Sequence, residues 1–499
     1  MSKRGVLAAI ALLVGAAHSI EVDAVTPARA ERLTLAPCLV AAESPDRQAP
    51  AEESHPARCG TFLVPENRSG EGDRMLPLRV VVLPSRTAQA REPVYILAGG
   101  PGQAASESAS GYALARYRDD RDVVLMDVRG TGEGHRLDCR LGGSDEDLQA
   151  WLEPLFAEGA LYARCRAELE RIADLTQYTT ENAMRDLDEL REALGHERIA
   201  LDGGSYGTRA ALVYIRLFPQ RVHAAILASL VPVENRAPLF HAAAAQRGFD
   251  LVADQCAAEP ACRAAFPDVR GDLLAVLERL RKAPATVEVR HPVTDVPERI
   301  SLGAAAFADA LRVMLYSAQT GRRVPLLLSR ARAGDLAPFA ETALTHSRGM
   351  TRSIRLGLLL AFTCSEDVWR IRPEEVARET AGSFIGASRV LGQMAACDGW
   401  PRGAVGDDYY RPLRADVPAL LVSGAIDPVT PPSWGEVARR SLPNSLHLVM
   451  PGAHVPWSEC VDAIAAAFLR AGRVEGLDTG CVQAERLPPF ELPAPQATP

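Results

Sequence analysis

IALDGGSYGTRAALVYIRL, residues 199–217, decides how the rest of the chain is read. The apolar run Ile199 to Leu201 has the content of a buried strand, and it leads directly into Gly203-Gly204-Ser205-Tyr206-Gly207. A helical stretch from Arg209 to Leu217 follows. The G-x-S-x-G spacing fits a sharp strand-to-helix turn, in which flanking glycines allow close backbone approach. Such a turn lifts the Ser205 hydroxyl clear of the sheet and aims the positive end of the following helix at it. Ser205 is therefore the candidate nucleophile, and the backbone N–H of Tyr206 a candidate donor to an oxyanion.

Upstream, the strand-like run Val94 to Leu97 ends in Ala98-Gly99-Gly100-Pro101-Gly102. Acyl transfer needs two N–H donors aimed at one oxygen. Pro101 has none to give, so Gly100 is the natural donor from this loop. Downstream, Asp427 lies just past the apolar run Ala419 to Val422, and His454 follows Leu446 to Met450 in Pro451-Gly452-Ala453-His454. The chain order Ser, Asp, His, with the later two beyond strand ends, suits a triad on a parallel sheet. A serine hydroxyl is a weak nucleophile unaided; His454 would take its proton, and Asp427 would orient and stabilise the imidazolium. His135, His196 and His447 do not lie in a glycine-rich loop after a late strand. A serine at the turn also argues against the chemistry of dehalogenases and epoxide hydrolases, which attack with a carboxylate.

Around these motifs, Leu78 to Leu83, Val94 to Leu97, Asp122 to Met126, Ile199 to Leu201 and Ala224 to Leu230 read as strands. Thr180 to Leu194 is an amphipathic helix, with Ala183, Leu187, Leu190, Ala193 and Leu194 on one face. From about Glu234 to Arg411 helical stretches dominate, such as Ala237 to Cys256, Ala304 to Tyr316 and Val324 to Ala331, with Val287 to Arg290 the one obvious strand. The strand–helix alternation then returns with Ala419 to Val422, Ser433 to Ser441, Leu446 to Met450 and Ser458 to Ala471. The expected class is α/β: an α/β-hydrolase fold with a mostly parallel central sheet and a large inserted helical cap. Its expected divisions are a signal peptide over 1–30, a first core segment over 31–233, the cap over 234–411, and a second core segment with a proline-rich tail over 412–499.

The 499 residues are 47% hydrophobic and carry a net charge of −8, so a large core is available and nothing marks a nucleic-acid partner. Lys3 and Lys282 are the only lysines, which reads as codon bias. Lys3, Arg4, the short apolar stretch Gly5 to Ala17 and the small-residue sites near Ala17 and Ala28-Arg29-Ala30 form an export signal. No segment is long and apolar enough to span a bilayer. The ten cysteines are Cys38, Cys59, Cys139, Cys165, Cys256, Cys262, Cys364, Cys397, Cys460 and Cys481. An even number in an exported chain implies five disulfides, expected between neighbours in sequence, in a periplasmic or extracellular protein. No C-x-x-C pair points to a metal site. The chemistry needs neither metal nor organic cofactor, and oligomeric state stays open.

Gly99-Gly100-Pro101-Gly102, Asp127-Val128-Arg129-Gly130-Thr131-Gly132, Gly203 to Thr208 and the Asp427 and His454 loops together resemble the prolyl aminopeptidase and tripeptidyl aminopeptidase family of α/β-hydrolases. Arg129-Gly130-Thr131-Gly132 with Cys139 shortly after looks like its exported tripeptidyl-peptidase branch. The resemblance covers about 60–230 and 411–475, and in the cap only the surroundings of Cys364 to Asp367. It departs at Ala98, where the family's loop usually has histidine. What it implies is release of short N-terminal units from peptides, with the cap restricting access. Recognition of a free α-ammonium group calls for a buried carboxylate, and the resemblance makes Glu366 and Asp367 the candidates. A carboxylesterase using the same machinery on small or lipid-like esters is the alternative, because fold and triad do not set the substrate.

Overall fold

The computed structural model describes residues 32–41, 54–70, 74–139, 145–157 and 159–494; the expected leader over residues 1–30 lies outside the described residues. Nine strands form one sheet: β1 (Leu33–Val40), β2 (His55–Pro65), β3 (Met75–Leu83), β4 (Arg91–Leu97), β5 (Arg121–Met126), β6 (Ile199–Gly204), β7 (Val222–Ala228), β10 (Ala419–Gly424) and β11 (Ser445–Met450). They run in the order β1-β2-β3-β5-β4-β6-β7-β10-β11. The pairs from β5 through β4, β6, β7 and β10 to β11 are parallel. The β1–β2, β2–β3 and β3–β5 pairs are antiparallel.

β1 and β2 are additions to the strands expected from sequence. Their residues are mostly polar, small or proline, and few of them are buried, so no apolar run announces them. β3 to β6, by contrast, match the expected runs and extend them by a few residues, and β7 overlaps its expected run but starts and ends two residues earlier. β6 and β10 are buried along almost their whole length, as parallel strands covered on both faces must be. Tyr95, Leu97, Leu201, Leu227 and Leu421 face the helices Thr180–Ala193 and Tyr206–Leu217 on one side of the sheet. Val94, Ile96, Ala200, Ile226 and Val422 face the helix Glu459–Ala471 on the other.

Between β7 and β10 lie ten helices of the described residues, from His241–Ala258 to Ser388–Cys397, and a two-stranded hairpin of β8 (Ala285–Arg290) and β9 (Pro297–Leu302). β9 was not expected, since Pro-Glu-Arg breaks its apolar pattern. Much of this insertion shares its own apolar cluster, with Phe249, Phe307, Leu311 and Phe339 at its centre, the rings of Phe307 and Phe339 stacked at 3.7 Å. Its helix Leu356–Glu366 instead packs into the cluster under the sheet through Leu358, Leu360 and Phe362. The insertion is thereby anchored beside the turn at Ser205, with Phe362 packed on Tyr206.

Each cysteine pairs with its sequence neighbour: Cys38–Cys59, Cys139–Cys165, Cys256–Cys262, Cys364–Cys397 and Cys460–Cys481. Among the described residues no helix is long and apolar enough to cross a membrane. The proline-rich tail lacks regular structure over 485–494, yet it is docked. Phe490 is 5% exposed within the insertion's cluster, beneath the Arg322 guanidinium at 3.8 Å, and Arg322 Nε donates to the Pro488 carbonyl at 2.8 Å.

Candidate active site

The turn at the end of β6 has the shape expected from its glycines. Ser205 sits at φ +56°, ψ −124°, a left-handed conformation costly for a residue with a side chain. A Cβ on Gly203 would lie 2.5 Å from the Gly207 carbonyl oxygen, and one on Gly207 would overlap the Leu97 carbonyl at the end of β4. Both positions therefore exclude side chains. The strained turn is tied down by the Ser205 N–H donating to the Ala228 carbonyl at 2.8 Å. Thr208 Oγ1 donates to the Ser205 carbonyl at 2.7 Å and accepts the Val231 N–H at 2.8 Å.

The loop after β4 lies against this turn: a Cβ on Gly99 would sit 3.4 Å from that of Ser205. Gly100 has φ +111°, open to glycine, and a Cβ there would crowd the Gly102 nitrogen at 2.6 Å. Tyr206 opens the helix behind the serine, where the first N–H groups have no intrahelical acceptor. Gly100, Ser205 and Tyr206 line one cavity.

Asp427 and His454 come from the loops after β10 and β11, and the structure brings them together. His454 Nδ1–H donates to Asp427 Oδ2 at 2.9 Å. That carboxylate is fully buried and accepts four further hydrogen bonds: the N–H groups of Val429 and Thr430 at 2.9 and 2.8 Å, and the hydroxyls of Ser229 and Thr430, each at 2.8 Å. Burial pushes the Asp427 carboxyl up, but the His454 imidazolium and these donors outweigh it and hold it at about 2. With Nδ1–H committed to Asp427, the neutral ring keeps Nε2 as an acceptor, and the ring lines the same cavity as Ser205. A hydroxyl and an imidazole lining one cavity, with an ionised carboxylate bonded to the imidazole, are the groups that can pass a proton to and fro.

Several residues of the site had no sequence signal. Ser229, at φ +60° just after β7, donates to Asp427 and accepts the Val455 N–H at 2.8 Å, linking the two loops. Tyr316 accepts the His454 N–H at 3.2 Å on its carbonyl and packs its ring against the imidazole at 4.9 Å. His241 lines the cavity too; burial, then Arg389, Arg312 and His454, push its imidazole well below the usual range, so it is neutral. The three histidines set aside in the sequence are engaged elsewhere: His196 with the Tyr95 hydroxyl at 2.9 Å, His447 with Glu436 and Ser423, and His135 with Tyr178.

The cavity measures 620 Å³, and Glu366 and Asp367 form part of its wall. Neither is solvated. Glu366, 1% exposed, accepts the Thr180 N–H and hydroxyl at 2.6 and 2.7 Å and the Tyr409 hydroxyl, and burial pushes it up to about 7. Asp367 accepts from Arg209 Nη1 on both oxygens, at 2.7 Å each; burial raises its carboxyl, against the pull of that guanidinium. Arg209 rides on the helix behind Ser205 and also donates to the carbonyls of Pro232 and Asn235. Asp367 is thus locked to the helix that follows Ser205, and Glu366 to the start of the helix Thr180–Ala193.

The chain is similar to serine protease Hip1 of Mycobacterium tuberculosis, at 25% identity over 449 residues, covering 83% of this chain and 85% of that protein. It is also similar to a tripeptidyl aminopeptidase of Streptomyces coelicolor, at 28% identity over 200 residues and 35% of each chain. A likeness to the crystal structure of a proline iminopeptidase from Mycobacterium smegmatis, at 16% identity and TM-score 0.37, covers 83% of this chain and 98% of that one. The family model for the alpha/beta hydrolase fold matches residues 92–456, which takes in β4, the turn at Ser205, the insertion and both loops after β10 and β11. The chain belongs to the α/β-hydrolase family, and it is a serine hydrolase.

Proposed function

We propose that this serine hydrolase is an exported aminopeptidase, releasing units of one to three residues from the N-termini of peptides, with residues 234–411 acting as a cap over the site. The observation that carries the reading is Glu366. A carboxylate offers about four lone-pair positions, and three are taken, which leaves one for a substrate ammonium in the cavity that also holds Ser205. Asp367, already paired with Arg209, serves to position this wall. The peptidase names of the similar proteins support the reading, and five disulfides support export.

In the mechanism, the Ser205 hydroxyl attacks the scissile carbonyl while His454 Nε2 takes its proton. Asp427 stabilises the imidazolium, and the N–H groups of Gly100 and Tyr206 hold the oxyanion. Collapse breaks the C–N bond, and the departing amine takes the proton from His454. Water then repeats the sequence on the acyl-enzyme, returning Ser205 and the free acid. No step calls for a metal or organic cofactor.

Three substrates test this: a tripeptidyl anilide with a free amine, its N-acetylated twin, and a short-chain nitrophenyl ester. Preferential cleavage of the free-amine anilide is the expected result. Turnover of the ester alone would replace the reading with a carboxylesterase.

A further inference from the structure

We propose that a second cavity, behind the Ser205 turn, is a leaving-group subsite that takes the basic side chain, lysine or arginine, at the new N-terminus of the released peptide. The proposal rests on the peptidase reading. The cavity measures 720 Å³ and shares Ser108, Tyr112, Gly204 and Val455 with the catalytic cavity. Gly204 immediately precedes Ser205, and Val455 immediately follows His454. A Cβ on Gly204 would already touch Val455 at 3.5 Å, so glycine keeps the shared wall thin.

Its place fixes which half of the substrate it serves. The departing nitrogen takes its proton from His454, so the released chain lies on the imidazole side of the scissile bond. Val455, Trp457 and Ser458, which line this cavity, are the residues that follow His454.

Its chemistry fixes the side chain. Tyr112, Tyr117 and Trp457 supply aromatic walls, and three carboxylates, Asp202, Glu459 and Asp462, line the space with no basic side chain among them. Asp462 is spoken for: the Arg116 N–H donates to it, and the Arg116 guanidinium lies 3.6 Å away. Glu459 stands at the exposed rim. Asp202 is different. It is 3% exposed, and Tyr117 Oη donates to its Oδ2 at 2.8 Å, which engages one of its two oxygens. Burial pushes this carboxyl up to about 7, as expected where no cation faces it, and an ammonium or guanidinium would draw it back down. An aliphatic stem on aromatic faces with its cationic head at a buried carboxylate is the way a lysine or arginine side chain is recognised.

The test compares peptides that share one N-terminal tripeptide and differ in the next residue: lysine, leucine or glutamate. Wild-type kcat/KM should favour lysine over leucine about tenfold and disfavour glutamate. The lysine-to-leucine ratio should fall to within about twofold in Asp202→Asn and should drop in Trp457→Ala, which alters an exposed rim residue. Because each ratio comes from a single preparation, the folded fraction cancels. A wild-type ratio near one, or a ratio unchanged in both variants, overturns the proposal. A binding arm on Ser205→Ala uses Nα-acetyl-lysinamide and Nα-acetyl-norleucinamide, with at least tenfold tighter binding of the former expected, and that advantage lost on adding Asp202→Asn. If esters are cleaved and peptides are not, the peptidase reading fails and this arm alone judges the cavity. An Asp202-dependent preference then supports a cation site, and equal binding overturns it.

Discussion

Replacing Glu366 by glutamine removes a negative charge from the cavity that Ser205 lines while keeping the shape that Thr180 and Tyr409 grip. A hydrogen bond to a charged group is worth about 1.5–3 kcal/mol, or roughly 10- to 150-fold in kcat/KM. The quantity to measure is the kcat/KM ratio of a free-amine tripeptidyl anilide to its N-acetylated twin, which should fall by that factor. The pH profile carries the sign. Glu366 is ionised only above about 7, so the ratio should rise as pH passes through 7. It should fall again above about 8, where a substrate α-amine loses its proton. Glu366→Gln should lack the rising limb. Stability moves the opposite way. A carboxyl whose value goes from 4.5 unfolded to about 7 folded keeps its proton longer in the native state, so wild-type stability declines between those pH values, by about 3 kcal/mol in all. The variant should not show that decline, and thermal melts from pH 4 to pH 8 would reveal the difference. An unchanged substrate ratio and an unchanged pH profile in the variant would refute the amine-binding role.

Ser205→Ala should abolish turnover and labelling by a fluorophosphonate probe; labelling of the variant would move the nucleophile elsewhere. Ser229→Ala takes one donor from Asp427 and strands the Val455 N–H, so kcat should drop about tenfold with KM nearly constant, together with a stability loss of ~1–3 kcal/mol read from denaturant titration. Gly207→Ala drives a methyl group into the Leu97 carbonyl and should cost about 3 kcal/mol, seen as a lower melting temperature. Arg209→Met leaves the Asp367 carboxylate buried without its cation, at a cost of about 3–5 kcal/mol, and adding Asp367→Asn should restore part of that in the same titration.

The strand–turn–helix at 199–217, the glycine loop at 98–102 and the loops that carry Asp427 and His454 were all legible in the sequence. Each is a local matter: a periodicity, or a backbone geometry only glycine permits, written over a few consecutive residues. The disulfides likewise follow chain neighbours. β1, β2 and β9 escaped notice because polar residues and prolines interrupt their patterns, and what holds them is pairing with a partner strand. Ser229 bonds to Asp427 across 198 positions, and Arg209 to Asp367 across 158. Nothing near Ser229 in the chain marks it as part of a site, and nothing near Arg209 names Asp367 as its partner. Local sterics dictate which residues can turn, cap or extend; only the assembled sheet, with its insertion pressed against the helix that follows Ser205, determines which distant side chains meet, because burial and charge pairing depend on everything that surrounds them.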